Sequence, residues 1–341
     1  VLRRALALSA LIYGAAQALL ALCWLMGLRL PGRLALASDF AVWCNAPLVF
    51  LLPLALVSRS PQVMRSVAVP SAIFVLAFGP ALLPRSASDD AGVRLRVATW
   101  NVQIDNTQPD AVLATLRALG ADVVLLQEVS PQLARSIAND AVLQKRYHYQ
   151  LMRPLQRGVL GESGQGLLSR FALTANPPPE LAHNELQSYP GMHVRLLVAG
   201  REVTLINIHP LAPEVELRRV GRVWLPASYS SAHRGEQQRA IERTLRLVRG
   251  PLILGGDFNT ADRDPWLRRL AHLHDAFGER GWGFGLTFPT ADNNGSQRAP
   301  FPLVRIDYLF SSDELRPQGA WVACAVPSDH CLVGAELAMG W

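Results

Sequence analysis

The residues best suited to chemistry in this chain stand where apolar runs stop. The stretch PLILGGDFNT (251–260) leads from a short apolar run through Gly255 and Gly256 to Asp257 and Asn259. Residues two apart in extended backbone share a side, so a carboxylate and a neutral amide converge on one point. That set suits a hard metal ion, a water or a phosphate oxygen. The placement recurs along the chain: Asn101 ends RLRVATWN, Glu128 follows DVVLLQ, His209 follows EVTLINI, and Asp307, Asp329 and His330 border the last apolar runs. Each has a plainer reading on its own, since Asn101 or Asn259 can cap a turn and Asp307 can pair with Arg305. Together they are acids, amides and histidines at strand ends, where ligand sites gather in layered folds.

The elements that must position them follow from apolar periodicity. Runs at 94–102, 122–127, 167–168, 192–198, 202–209, 251–255, 304–310, 318–325 and 331–338 read as strands, with Ala199-Gly200-Arg201 as a hairpin turn. Residues 109–119, with apolar positions at 112, 113, 116 and 119 before Gly120, read as an amphipathic helix; 235–248 and 264–273 read as two more. Residues 211–233 are expected to be a long loop, and 281–302 a loop rich in Gly, Pro and Asn. No internal repeat is visible. Alternating strands and helices with long loops at strand ends indicate a layered α/β domain.

The N-terminal quarter is of another kind. Of the 341 residues, 50% are hydrophobic, and the excess lies at the start of the chain. Residues 5–27 contain no charge and as a helix would extend roughly 35 Å, enough for a bilayer core. Three transmembrane helices are expected, at about 5–28, 40–57 and 67–83, making 1–84 a membrane anchor, 85–92 a polar linker and 93–341 the catalytic domain. Arg3, Arg4, Arg59 and Arg65 then fall on one side of the membrane and Arg29, Arg33 and Arg85 on the other. The majority favours a cytoplasmic N-terminus and a multi-pass cell-membrane protein with its large domain outside the cytoplasm. Seven of the 33 basic residues and three of the 27 acidic ones lie in 1–91, so the remainder carries only about +2. The sequence pI of ≈ 9.5 therefore does not mark a strongly basic face of the kind that tracks a polyanion. Cys23 and Cys44 lie in apolar stretches, no cysteine pattern has zinc spacing, and Cys324 and Cys331 are either a disulfide across a short loop or two buried thiols.

The motifs TWNV (99–102), LLQEV (125–129), GLLSRF (166–171), INIHP (206–210), GGDFNT (255–260), LTFP (286–289), RIDYLF (305–310) and SDH (328–330) occur in an order that resembles the endonuclease/exonuclease/phosphatase superfamily. The resemblance does not cover 1–91. It implies a four-layer sandwich of two mixed β-sheets flanked by helices, and a divalent-metal phosphoesterase site using Mg2+, with Mn2+ as a possible substitute. Carried over by motif, Glu128 is the principal metal ligand, with Asn101 and Asp329 close to the ion. His330 is the general base for an attacking water, held by Asp307. Asp257 and Asn259 position water and phosphate, and His209 donates to a phosphate oxygen or leaving group. The architecture is also similar to a membrane-anchored bacterial subgroup that includes proteins linked to teicoplanin resistance and to lipid-linked phosphates outside the cytoplasm, a resemblance that implies placement more than a specific substrate. Three readings compete: a membrane-tethered phosphoesterase on a lipid-borne phosphate; an anchored nuclease on nucleic acid, with Arg218, Arg219, Arg222, Arg234 and Arg239 lining a phosphate channel or a solvated face; and an inactive scaffold. The scaffold predicts erosion at the metal and base positions, and none is visible.

Overall fold

Apolar runs of five to eight residues ending in turn or polar residues become buried strands, and in the computed structural model nearly all of them do. The structure describes residues 2–85, 93–153, 164–175, 191–220, 223–290 and 299–341. Their contacts form two compact units: Val1–Leu83 with Glu214–Ser230 and Ala261–Arg268, and Pro84–Pro213 with Ser231–Thr260 and Arg269–Trp341.

In the first unit α1 (Leu2–Leu25), α2 (Leu36–Asp39), α3 (Leu48–Ser58) and α4 (Pro61–Phe78) carry most of the apolar sequence. Arg4–Leu25 and Pro61–Leu82 are each long and apolar enough to cross a membrane. The expected middle span, 40–57, is covered by Trp43–Ser58, which is joined to a preceding segment outside that span, Gly32–Asp39, at 86°. Pro47, which has no amide to donate to Trp43, stands where α3 restarts. The count of candidate spans is therefore two, or three if the bent pair is one. The third begins earlier than expected because Pro61 occupies the first helical turn, where a missing N–H costs nothing; this puts Arg65 inside α4 rather than before it.

The second unit opens with β1 (Arg94–Asn101), α5 (Pro109–Ala118), β2 (Val123–Gln127), α6 (Pro131–Ala138), α7 (Ala141–Arg146), β3 (Tyr149–Arg153) and β4 (Gln165–Ser169). It continues through β5 (Leu173–Ala175), β6 (Gly191–Val198) and β7 (Arg201–Ile208). The hairpin β8 (Glu214–Val220) and β9 (Val223–Ser230) belongs to the first unit. After it come α8 (Ala232–Leu245), β10 (Leu252–Asp257), β11 (His274–Asp275), α9 (Ala276–Arg280), β12 (Asp307–Ser311), β13 (Leu315–Ala323) and β14 (Leu332–Met339). Two mixed six-stranded sheets result, β13-β14-β1-β2-β4-β3 and β11-β12-β10-β7-β6-β5. Their inner faces meet through Val97, Leu125 and Leu167 on one side and Val194, Leu205, Ile253 and Leu309 on the other. The outer face of the first sheet packs Trp100, Val124 and Leu126 against Val112 and Leu116 of α5 and Ile137 of α6. Each such side chain removed from water contributes about 1.5–3 kcal/mol.

Two expectations for loops and helices fail. Residues 211–233 hold the β8–β9 hairpin and the start of α8 rather than one long loop. The expected helix at 264–273 is only a 3-10 turn, Leu267–Leu270; Asp264 turns back to accept from the Trp266 amide at 2.9 Å, and Pro265 cannot donate. Cys324 and Cys331 form a disulfide.

Candidate active site

The site assembles at the ends of strands from both sheets. Asn101 closes β1 and Glu128 follows β2, a parallel neighbour whose register pairs Asn101 with Gln127. In the other sheet His209 follows β7 and Asp257 closes β10, again parallel neighbours, while Asp307 begins β12 opposite Asp257. Asp329 and His330 lie on the turn before β14. The two sheets are joined just beneath: the buried Gln127 donates to Asn207 Oδ1 at 2.7 Å and to Thr99 Oγ1 at 3.0 Å, and Asn207 Nδ2 donates to the Leu126 carbonyl at 2.9 Å. These bonds tie the two sheets together through side chains of Gln127 and Asn207, although Gln127 Oε1 has no hydrogen-bond partner among the described residues.

Local backbone sets each side chain. Gly256 has φ 143°, and a Cβ there would fall 1.9 Å from the Ile208 carbonyl oxygen, so only glycine lets β10 approach β7 this closely ahead of Asp257. Glu128 and Asn259 adopt left-handed conformations, with φ of 59° and 47°. Asparagine tolerates that region; glutamate does so only where its surroundings hold it, a kind of strain that concentrates at functional sites. The Glu128 carboxylate accepts from Asn101 Nδ2 at 2.9 Å and from the Ile104 amide at 2.8 Å. Asp257 accepts from Asn101 Nδ2 at 3.0 Å and from the Asn259 amide at 2.8 Å. His209 Nε2 lies 3.3 Å from Asp257 Oδ2 and 3.7 Å from Glu128 Oε1.

His330 Nδ1 bonds Asp307 Oδ2 at 3.0 Å, and its Nε2 faces Asp257 Oδ2 at 3.7 Å. The Phe288 ring lies against the imidazole with centroids 4.6 Å apart. Ser328 donates to the Asn101 carbonyl at 2.7 Å and accepts the His330 amide at 3.1 Å. The Cys324–Cys331 bond closes the turn that carries Ser328, Asp329 and His330. Asp307 does not pair with Arg305, which instead holds Asp275 at 2.8 Å.

Burial and charge set the protonation states. Burial pushes the His330 imidazole down, but the carboxylates of Asp307 and Asp257 and the Asp307 hydrogen bond outweigh it and lift the group to about 10. Burial alone would raise Asp257, and His330 and His209 reverse this, holding it at about 2. His209 is raised: burial lowers it and Asp257 and Glu128 overcome that. Burial also raises Asp307, with Asp257 adding to the effect against His330. Asp329 is lifted to about 6 by burial, which Glu128 reinforces against the pull of His330.

All eight residues expected from the sequence lie at this end of the sheets, but not with equal parts. Two groups have ligand atoms close enough to share an ion, Glu128 with His209 and Asp257, and Asp257 with Asp307 and His330. Among the described residues Asp329 joins neither; its Oδ1 lies 3.5 Å from Ser328 Oγ. The donor set fits a divalent metal ion: carboxylates and an imidazole converge, and among the described residues Asp307 Oδ1 and His209 Nδ1 are buried without a hydrogen-bond partner.

Sequence reasoning missed the support beneath the loops. Arg234 is 2% exposed, so it is neither a solvated face nor a channel wall, and its Nη1 donates to the Asn259 carbonyl. Gln237 Oε1 accepts the Leu211 amide at 2.6 Å, Gln238 Nε2 donates to Thr260 Oγ1 at 3.1 Å, and Asn259 Nδ2 donates to the Pro210 carbonyl at 2.9 Å. One polar face of α8 thus staples the loops after β7 and β10. Polar residues at 234, 237 and 238 beside apolar 240 and 241 were the available signal. Arg218, Arg219 and Arg239 are exposed, and Arg222 lies outside the described residues.

Acids and histidines thus converge at adjoining strand ends of the two packed sheets. The chain belongs to the Endonuclease/Exonuclease/phosphatase family, whose model matches residues 98–330, and is a hydrolase of phosphoester bonds. No curated protein matches it. Among solved structures it resembles D. rerio TDP2 complexed with single-strand DNA product, with 16% identity, 72% of this chain and 99% of that one covered, and a TM-score of 0.53. It also resembles a variant of the 3' phosphatase NExo from Neisseria bound to a product DNA hairpin, at 19% identity, 72% and 100% coverage and a TM-score of 0.52. These likenesses establish the fold.

Proposed function

We propose that this protein is a membrane-tethered, Mg2+-dependent phosphoesterase, with Mn2+ as a substitute, that directs water onto a phosphate ester borne by a lipid. Residues 1–84 are the anchor, 85–92 the linker and 93–341 the catalytic domain, held outside the cytoplasm by a multi-pass N-terminal segment. The observation that carries the reading is that the two groups able to share an ion have Asp257 in common, so that a cation position and a proton-handling pair adjoin. Two or three candidate spans support the tether. The Cys324–Cys331 bond supports an oxidising compartment.

Glu128 and Asn101 would hold the ion, with Asp257, His209 and Asp329 as further candidate ligands around it. The bound cation supplies a Lewis acid for a phosphate oxygen and a positive charge that offsets the surrounding carboxylates. Asp307 fixes His330 through Nδ1; a cation offsetting the carboxylates that lift His330 to about 10 would lower it and leave a neutral Nε2 to take the proton of the attacking water. Asp257, ionised, orients that water. Asn259 and His209 face the phosphate and share the charge developing on its oxygens.

A second reading, an anchored nuclease, is favoured by the two DNA-bound neighbours. The test uses the full chain in detergent, assayed on lipid pyrophosphate, sphingomyelin and plasmid DNA, each with Mg2+ and with chelator. Lipid turnover that requires Mg2+ is expected. Equal rates in chelator contradict the metal-dependent reading, and cleavage of plasmid alone favours the nuclease.

A further inference from the structure

We infer that residues 214–230 and 261–268 form a membrane-interface collar that binds the anionic headgroup layer of a bilayer. This rests on the membrane-tethered reading and adds to it how the chain would engage a lipid. Helices α1 and α4 lie side by side and run the same way. Ala10 clusters with Val63 and Val67, a Cβ on Gly14 would lie 3.3 Å from Ser66 O and Pro70 Cδ, and Trp24 meets Phe78 with ring centroids 6.2 Å apart. Their C-terminal ends are therefore level, and the segment Ala261–Arg268 caps both. Arg268 Nη1 donates to the carbonyl of Leu25, the last residue of α1, at 2.8 Å, and Arg263 Nη2 donates to the Ala77 carbonyl near the end of α4 at 2.6 Å. The Arg263 guanidinium also stands 4.9 Å from the Phe78 ring centroid and 5.4 Å from that of Trp24. Cations at helix C-termini meet unpaired carbonyls and the negative end of the helix dipole. Asp264 takes Arg29 at 2.9 Å, fastening the segment to the residues just after α1.

The hairpin joins the same end: Arg33 Nη1 donates to the Pro226 carbonyl at 3.3 Å. Where apolar helices end, a bilayer passes from acyl chains to headgroups. At that level β8 exposes Val215 (40%) and Leu217 (57%), alternating with exposed Glu214 and Glu216 and followed by exposed Arg218 and Arg219, which place the strand's positive charge at its far end. Apolar side chains with adjacent arginines are the composition of an interfacial element, the former entering the acyl boundary and the latter meeting anionic headgroups. Along the chain, His209 stands five residues before the hairpin and Asn259 two residues before the capping segment. Both loops that carry phosphate-facing residues thus pass directly into the collar.

The test places the full chain in bilayer discs of phosphatidylcholine alone, or mixed in equal parts with phosphatidylglycerol. An environment-sensitive dye is attached at Leu217→Cys in a Cys23→Ser/Cys44→Ser background, and nitroxide lipids report depth. Quenching by the headgroup-level nitroxide, stronger with phosphatidylglycerol, is expected. A dye that stays aqueous in both discs overturns the collar. In parallel, Arg218→Glu/Arg219→Glu should lower turnover of a disc-borne phosphoester by roughly tenfold or more, since each basic residue at an anionic surface is worth about fivefold, while a small soluble phosphodiester is turned over as before. An equal loss on both substrates overturns the collar in favour of a purely structural hairpin. Dye burial does not depend on which ester is hydrolysed, so quenching without lipid turnover would sink the lipid-substrate reading and leave the collar standing.

Discussion

Asp257 is 1% exposed and accepts or faces four groups: Asn101, the Asn259 amide, His209 and His330. Its neighbour Glu128, the proposed principal ligand, has its backbone held in a left-handed conformation. Glu128→Gln keeps the shape and removes that charge, so turnover should fall by about a hundredfold or more with the fold intact, checked by steady-state kinetics beside circular dichroism. His330→Ala should cost about two to four orders of magnitude. A loss under tenfold with an unchanged pH profile would remove His330 from the proton-handling role. The charge state is testable apart from activity. Because His330 in the folded protein is lifted to about 10, above its unfolded value, its stabilising effect is complete below about pH 6.5 and disappears as pH rises through about 10. The melting-temperature gap between the metal-free protein and His330→Gln should be widest at and just below about pH 6.5 and close as pH rises toward about 10. The strand-end residues could be read in the sequence because an apolar run that stops at an acid, amide or histidine is itself the signal. Arg234, Gln237 and Gln238 show in the sequence only as a polar face on an expected helix, since their partners lie 22 to 26 residues away.

Among elements, α8 and the turn before β14 hold the site's moving parts in place. Arg234→Met removes the donor to the Asn259 carbonyl while keeping a long side chain. It should reduce kcat on a soluble phosphodiester by about tenfold or more with little change in KM, as expected when a reacting group is displaced and substrate binding is left as it was. Equal loss of kcat and thermal stability, unrelieved by Arg234→Lys, would make Arg234 structural only. Cys324→Ser/Cys331→Ser should lower activity by loosening the turn of His330, whereas unchanged kinetics would show that the Ser328 hydrogen bonds and the bond from the Cys331 amide to the Thr287 carbonyl at 2.8 Å suffice. The buried strands of both sheets were legible because five consecutive apolar residues leave little else to be. The β8–β9 hairpin was not: EVELRRV and VWLPASYS mix charge, Pro226 and small polar residues, carry no Asn-Gly or Asp-Gly turn, and pair with a register shift between Glu216 and Leu217. Residues 264–273 have helical spacing, yet Asp264 and Pro265 commit the backbone to a turn.

At the scale of the whole chain, the two units are not consecutive in sequence. The first gathers Val1–Leu83 with Glu214–Ser230 and Ala261–Arg268, an assignment that depends on long-range contacts and has no local signature. The apolar N-terminal helices were legible from charge-free runs, while the 86° bend in the middle pair was not. If the chain's large domain lies outside the cytoplasm, a C-terminal reporter active only there should be active, and a cytoplasm-only reporter silent. The reverse pattern would contradict the placement and the oxidising environment proposed for Cys324–Cys331. The central claim, a phosphoesterase that works on a lipid rather than along a nucleic acid, is tested most directly by salt. The full chain in bilayer discs with Mg2+ is given a disc-borne lipid phosphoester and plasmid DNA across a salt series. An enzyme that grips one or two phosphates should turn over the lipid with a shallow salt dependence. Absent lipid turnover, together with plasmid cleavage whose affinity falls about a thousandfold or more between low and physiological salt, as counterion release demands of several phosphate contacts, would contradict it.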